Sequence, residues 1–401
     1  MPILFLIVFI DLVGFGVIIP LLPFYGEHFG ATPAQVGLLM AAYSFTQFLA
    51  APLWGRLSDR IGRRPVLLAT LAGSIVCYVW LGFADTLWMV FAARLVGGAM
   101  AGNISAAYAY VADITDSSNR ARGMGIIGAA FGLGFIFGPA IGGILAGPDP
   151  LAADYRTPAL ASAALSAVAL VLTALILKES LSLEARSREA AISAPNRWRR
   201  FRTAVARPSV GMLFAVSFLA TFVFAGMETT FAMWSFRTFG WGPEQNGYLF
   251  AFVGFLSAAI QGGLIGRLAK RFGEGNLVVI GSATLAVGML MIPFSTSLAP
   301  LVGAMVIVAF GFSLMSPALN SLISLQVGPD LQGGTMGVAR SVTTLARVIG
   351  PGWAGAMFYY IGKDWPFFGG TIIMVAVVLL SIVSLRMIAR AAAADRASDP
   401  G

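Results

Sequence analysis

Twelve apolar stretches, each long enough to cross a bilayer, dominate this chain. They lie near residues 3–25, 35–54, 65–84, 88–112, 123–146 and 157–177, then 209–235, 245–266, 276–296, 299–324, 334–361 and 367–388. A spanning helix needs about 20 apolar residues, and inside lipid the backbone must satisfy its own hydrogen bonds. The pattern therefore predicts an all-α integral membrane fold of twelve transmembrane helices. Composition agrees, since only 11% of the 401 residues are charged where a soluble domain carries about 25%. The 47 Gly and 20 Pro read as close helix packing with deliberate breaks. A single cysteine, Cys77, and a single histidine, His28, leave no disulfide framework and no metal-ligand set. Neither a metal nor an organic cofactor is expected. The first stretch lacks a basic leading region and is too long for a signal peptide, so it is read as a retained helix.

The net charge of +8 does not require a nucleic-acid partner, because cytoplasmic loops of membrane proteins collect Lys and Arg. Of the 26 Lys and Arg, four (Arg56, Arg60, Arg63, Arg64) lie between spans 2 and 3, and eight between Lys178 and Arg207. Arg267, Lys270 and Arg271 follow span 8, whereas the opposite loops hold only Arg156, Arg237 and Lys363. Both termini are thus expected in the cytoplasm. The boundaries read as an N-terminal six-helix bundle at 1–178, a cytoplasmic linker at 179–207 that can form an amphipathic surface helix, a C-terminal bundle at 208–390 and a tail at 391–401.

The two bundles repeat. FGATPAQVG at 29–37 returns as FGWGPEQNG at 239–247, and GRLSDRIG at 55–62 returns as GRLAKRFG at 266–273. Met124-Gly125 returns as Met336-Gly337, and Gly138-Pro139 as Gly350-Pro351. Six helices repeated in the same orientation are parallel repeats about the membrane normal, which place a substrate site between them near the midplane and rock about it. The predicted activity is transport by alternating access.

GRLSDRIGRR at 55–64 resembles the signature loop of the major facilitator superfamily, and the resemblance covers essentially the whole chain. It implies that Gly55, Asp59, Arg60 and Arg63 form a conformational latch, with Asp59 against the start of span 11 and Arg63 paired to Asp113. Gly55 is expected to permit a close helix approach, and the latch of the second copy, where Lys270 replaces the aspartate, to be degenerate. GLGFIFGPAIGG at 132–143 resembles the span-5 motif of drug:proton antiporters, with Gly134, Gly138, Pro139 and Gly142 as its packing positions. IDLVGFGVIIPLLP at 10–23 and YVADITDSSNRARGMG at 110–125 are similar to tetracycline efflux pumps. That branch is expected to carry an acid in span 9 and often a histidine in span 8. Residues 276–296 contain no acid, and span 8 offers Gln261.

Asp11, Arg94, Glu228 and Arg347 fall inside apolar spans, where each costs about 2.5–3.5 kcal/mol and is expected to face a cavity or a partner. Helix rise puts Asp11 and Arg94 at different depths, while Glu228 and Arg347 come out level enough to meet. Burial favours the protonated form of a carboxyl group, which suits a proton carrier. Asp11 or Glu228 is the expected carrier, with a structural Glu228–Arg347 ion pair as the alternative. By the resemblance Arg94, in RLVGG, takes part in proton coupling. Spans 1, 4, 7 and 10 are expected to line a cavity with Phe15, Asn103, Tyr108, Phe231, Trp234 and Asn320, Gln261 lying on span 8. Such mixed aromatic and polar walls suit amphiphilic, drug-sized molecules.

These features predict a monomeric, multi-pass inner-membrane antiporter that exports drug-like small molecules, tetracyclines or a broader set, against entering protons. A proton symporter importing a polar metabolite is the alternative on the same fold. An enzyme is not expected, because no clustered catalytic constellation exists.

Overall fold

The computed structural model describes residues 1–115, 119–181, 208–327 and 329–398. Among these residues the chain is all-helical, with no strand. Eleven helices have the length and apolarity of a membrane span. They are α1 (Pro2–His28), α2 (Pro33–Ile61), α3 (Arg63–Gly82), α4 (Leu87–Ile114), α5 (Arg120–Ala146), α6 (Arg156–Leu175), α7 (Pro208–Phe239), α8 (Pro243–Phe272), α9 (Glu274–Phe294), α10 (Leu298–Leu325) and, last in the chain, α12 (Trp365–Ser398). Between the last two lies α11 (Pro329–Tyr360), which carries Arg340 and Arg347 and at 32 residues also exceeds the ~20 needed to cross. All twelve expected spans are therefore helices. Residues 182–207, with the surface helix expected in the linker, lie outside the described residues. α12 stays helical to Ser398, past the apolar span that ends at Arg390.

Several spans are not uniform helices, and the causes are local. In α1 a 3-10 turn occupies Ile19–Leu21, where Pro20 and Pro23 supply no N–H and cannot continue the α ladder. α4 breaks at Ala101-Gly102, between Met100 and Asn103. A Cβ on Gly102 would collide with the Trp54 indole, and Trp54 Nε1 donates to the Ala99 carbonyl at 2.5 Å. Trp54 thus holds this break. α8 contains a π-helical turn at Ile260–Leu264.

The chain clusters into two compact units. The first comprises Met1–Ser193 with Glu228–Ala258 and Pro351–Lys363; the second comprises Ala194–Met227, Ala259–Gly350 and Asp364–Gly401. One end of α7, α8 and α11 thus clusters with the N-terminal six helices. In the first unit, Leu4, Ile7, Val8 and Leu12 of α1 pack with Leu67 and Leu71 of α3, Ala107 of α4, Ile127 of α5 and Ala169 of α6. In the second unit α9 and α10 meet at Gly281 and Gly311, where a Cβ on either would lie 2.8 Å from the carbonyl of the other.

The internal repeat acquires a structural meaning in the first unit. The repeated Pro starts a helix, and the repeated Gln reaches back to cap it: Gln35 Oε1 accepts the Thr32 N–H at 2.8 Å, and Gln245 Oε1 accepts the Gly242 N–H at 2.9 Å. This is capping-box chemistry. The repeated Gly then allows backbone contact. Gly37 of α2 meets the Pro351 carbonyl of α11, and Gly247 of α8 meets the Pro139 carbonyl of α5. Gly355 closes on Gly37 and Gly143 on Gly247, each with a would-be Cβ 3.1 Å from the partner's Cα. Pro139 and Pro351, and Gly143 and Gly355, are themselves repeat equivalents, so the α2–α11 and α5–α8 contacts are two copies of one interface. Arg237 adds an ion pair at this end, its Nη2 donating to Glu27 Oε1 at 2.6 Å.

Candidate functional site

The site begins at Asp11, only 8% exposed in the middle of α1. Its carboxylate accepts from Asn103 Nδ2 and from Ser166 Oγ of α6 at 3.3 Å. The break in α4 makes the first contact possible: Asn103 opens the second segment, with its Oδ1 accepting the Ile104 N–H at 2.7 Å. Both partners are neutral, and among the described residues no cation pairs with Asp11. A small cavity lies beside it, lined by Ile7, Leu12, Leu67, Leu71, Asn103 and Ile104.

Arg94 sits on α4, about 13 Å of helix before Asn103 at 1.5 Å per residue. It is 6% exposed, and its guanidinium carbon lies 4.3 Å from the centre of the Tyr43 ring. The glycines of RLVGG bring that ring in. A Cβ on Gly98 would collide with the Tyr43 carbonyl, and one on Gly97 would rest against the ring at 3.7 Å. The absence of an Asp11–Arg94 ion pair agrees with their different depths.

The motif GLGFIFGPAIGG proves to be a two-sided packing face. Toward α1, a Cβ on Gly134 would come 2.8 Å from Leu12 Cβ, and one on Gly138 would lie 2.6 Å from Gly16 Cα; Gly142 meets the Val17 carbonyl. Toward α8, Gly143 and the Pro139 carbonyl meet Gly247. Gly132 faces open space.

In the signature loop Gly62, with φ 109°, makes the turn between α2 and α3 that an L side chain resists. Arg63 is buried beneath it; its Nε donates to Asp113 Oδ2 at 3.0 Å, and its Nη1 to Ser58 Oγ at 3.2 Å and to Asp59. Glu179, just past α6, accepts the backbone N–H groups of Arg63 at 2.9 Å and Arg64 at 3.2 Å. It thereby satisfies two free donors at the positive end of α3. Arg64 returns the contact, its Nη2 donating to the Ala174 carbonyl in the last turn of α6 at 2.5 Å. Arg60 is exposed. A Cβ on Gly55 would meet no atom within 4 Å, so the close approach expected there is corrected; Gly102 against Trp54 makes one instead. In the second copy Lys270 and Arg271 are exposed, and neither enters an ion pair among the described residues. Arg63→Lys is expected to lose about 2 kcal/mol of stability, the scale of charged hydrogen bonds, because an ammonium cannot reproduce the guanidinium fork. Thermal unfolding of the purified protein measures it.

The cavity candidates divide. Phe231 and Trp234 are fully buried, with Phe231 edge-on to Phe250 at 5.6 Å and Trp234 edge-on to Phe239 at 5.7 Å. They pack the interior of α7 and α8 rather than face open space, which corrects their reading as cavity walls. Phe15 leans on Tyr43 at 5.1 Å, and Tyr108 is half-buried against the α1–α3–α4 core. Gln261, on the π-helical turn, and Asn320 are exposed. Glu228 and Arg347 are both half-buried, the first in the first unit and the second in the other. Ser166, Tyr43 and Glu179 were missed by sequence reasoning. The detectable signal was a hydroxyl within an apolar span for Ser166 and an acid directly after a span for Glu179.

The profile of the Major Facilitator Superfamily matches residues 4–351 and 259–399. The chain belongs to this superfamily. It is a multi-pass membrane transporter of that type. The tetracycline resistance protein, class C, of Escherichia coli is 33% identical over 359 residues, covering 89% of each chain. Multidrug resistance protein 2 of Bacillus subtilis (strain 168) is 28% identical over 380 residues, covering 94% of this chain and 92% of that one. Among solved structures, the human organic anion transporter MFSD10 superposes with a TM-score of 0.71 at 29% identity, over 95% of this chain and 98% of that one.

Proposed function

We propose that this transporter exports drug-like amphiphilic small molecules in exchange for protons, by alternating access. The observation that carries the coupling is Asp11, a buried carboxylate held by two neutral hydrogen bonds with no cation beside it among the described residues. Such a group exchanges a proton without breaking an ion pair. Asn103 and Ser166 come from α4 and α6, so a shift of either helix changes how strongly the charged form is stabilised. That links proton binding to conformation.

Export as the direction is supported by the resistance proteins among the relatives and by the resemblance of the span-5 motif to that of antiporters. In this reading the reciprocal α2–α11 and α5–α8 contacts, with Glu27–Arg237, form the external barrier, and the Arg63–Asp113 cluster marks the cytoplasmic side. Both termini are cytoplasmic, the membrane is a bacterial inner membrane, and the working unit is a monomer with the proton gradient as its energy source.

Purified protein in proteoliposomes tests the reading. With an imposed pH gradient, uptake of tetracyclines or cationic dyes into acid-loaded vesicles is expected, together with substrate-dependent proton release. Transport of a polar metabolite in the same direction as protons, with no movement of amphiphilic compounds, would establish the symporter instead.

A further inference from the structure

We propose that Arg94, together with the hydroxyl groups around it, forms a binding site for a small inorganic monoanion of the halide class. The guanidinium is buried, and among the described residues its Nε finds no hydrogen-bond partner. It borders a cavity of about 20 Å³ lined by Tyr43, Ser74, Cys77, Tyr78, Ala93 and Gly97, with Leu81 completing the wall. Two phenols, a serine hydroxyl and a thiol thus join the cation at one void, all of them able to donate a hydrogen bond. Among the described residues no carboxylate lines it. The nearest intramembrane acid of this bundle, Asp11, is engaged with Asn103 and Ser166 and lines a separate cavity.

A buried charge is stable only when it is paired or well solvated by hydrogen bonds. The Tyr43 ring at 4.3 Å supplies a cation–π contact, which leaves the in-plane Nε–H unused. A monoanion supplies both the missing charge and the missing acceptor. Size selects among anions: a void near 20 Å³ accommodates about one water-sized occupant. Among inorganic monoanions a single-atom halide is nearest to a water in size, whereas a drug-sized acid is far larger. The site is independent of which substrate the transporter carries.

Equilibrium binding of ³⁶Cl⁻ to the purified full-length protein in detergent tests the proposal. Saturable binding is expected, displaced by bromide and not by gluconate or sulfate. Arg94→Gln is expected to abolish it. Tyr43→Phe and Ser74→Ala, which keep the cation and nearly all of the packing, are each expected to weaken it about fivefold, the scale of one hydrogen bond. Should Arg94→Gln fail to fold, the hydroxyl variants decide, and undiminished affinity in both overturns the site. Absence of saturable chloride binding to the folded wild type, or unchanged binding in Arg94→Gln, overturns it equally.

Discussion

Gly138→Ala is expected to destabilise the protein, while Gly132→Ala, less than two turns earlier on α5, leaves it unchanged or slightly more stable. The added methyl at position 138 would sit 2.6 Å from the backbone of Gly16 and 2.9 Å from the Val17 nitrogen. Backbone cannot rotate away as a side chain can, so α1 must move off α5. Overpacking of this kind costs about 1–3 kcal/mol, and here the same movement disturbs Asp11, which lies on the displaced helix. At position 132 the methyl meets nothing within 4 Å, and exchanging Gly for Ala within a helix gains up to about 1 kcal/mol. Thermal unfolding of both variants in detergent, with transport measured alongside, separates the two. Equal unfolding temperatures would show that the α1–α5 contact is slack.

Asp11→Asn is expected to abolish proton-driven accumulation with little loss of folded protein. The amide is close in shape to the carboxylate: its oxygen accepts from Asn103, its NH2 donates to the Ser166 hydroxyl oxygen in place of the bond the carboxylate accepted there, and it carries no exchangeable charge. A gradient of about one pH unit is worth 1.36 kcal/mol per proton, an about tenfold accumulation ratio. In the variant that ratio should fall to about 1, while exchange of labelled substrate across vesicles at equal pH persists. Accumulation that survives with undiminished pH dependence would assign the proton to another acid, with Glu228 next in line. Concurrent measurement of unfolding temperature distinguishes loss of coupling from loss of fold.

Much of this was legible in the chain because lipid leaves few solutions. A bilayer demands about 20 apolar residues per helix, so span number and type could be counted. The intramembrane charges stood out for the same reason, and the depth estimate that kept Asp11 and Arg94 apart needed only helix rise. The partners were another matter. Asn103 and Ser166 lie 92 and 155 residues from Asp11, and nothing local in either marks them as its ligands. Phe231 and Trp234 show the limit from the other side: an aromatic next to a membrane acid reads equally well as cavity wall or as packing, and burial decided for packing.

By itself, then, the sequence determined the twelve spans, their internal repeat, the signature loop and the residues whose charge lipid penalises, because each depends on composition or spacing along one helix. Only the tertiary structure decided which glycines are contacts and which merely face open space, that α4 breaks at Gly102, that Glu179 caps α3, and that Asp11 rests on neutral partners while Arg94 borders a donor-lined void. Those properties depend on which backbone lies within a few ångströms of another, and in a bundle that is set by helices far apart in the chain.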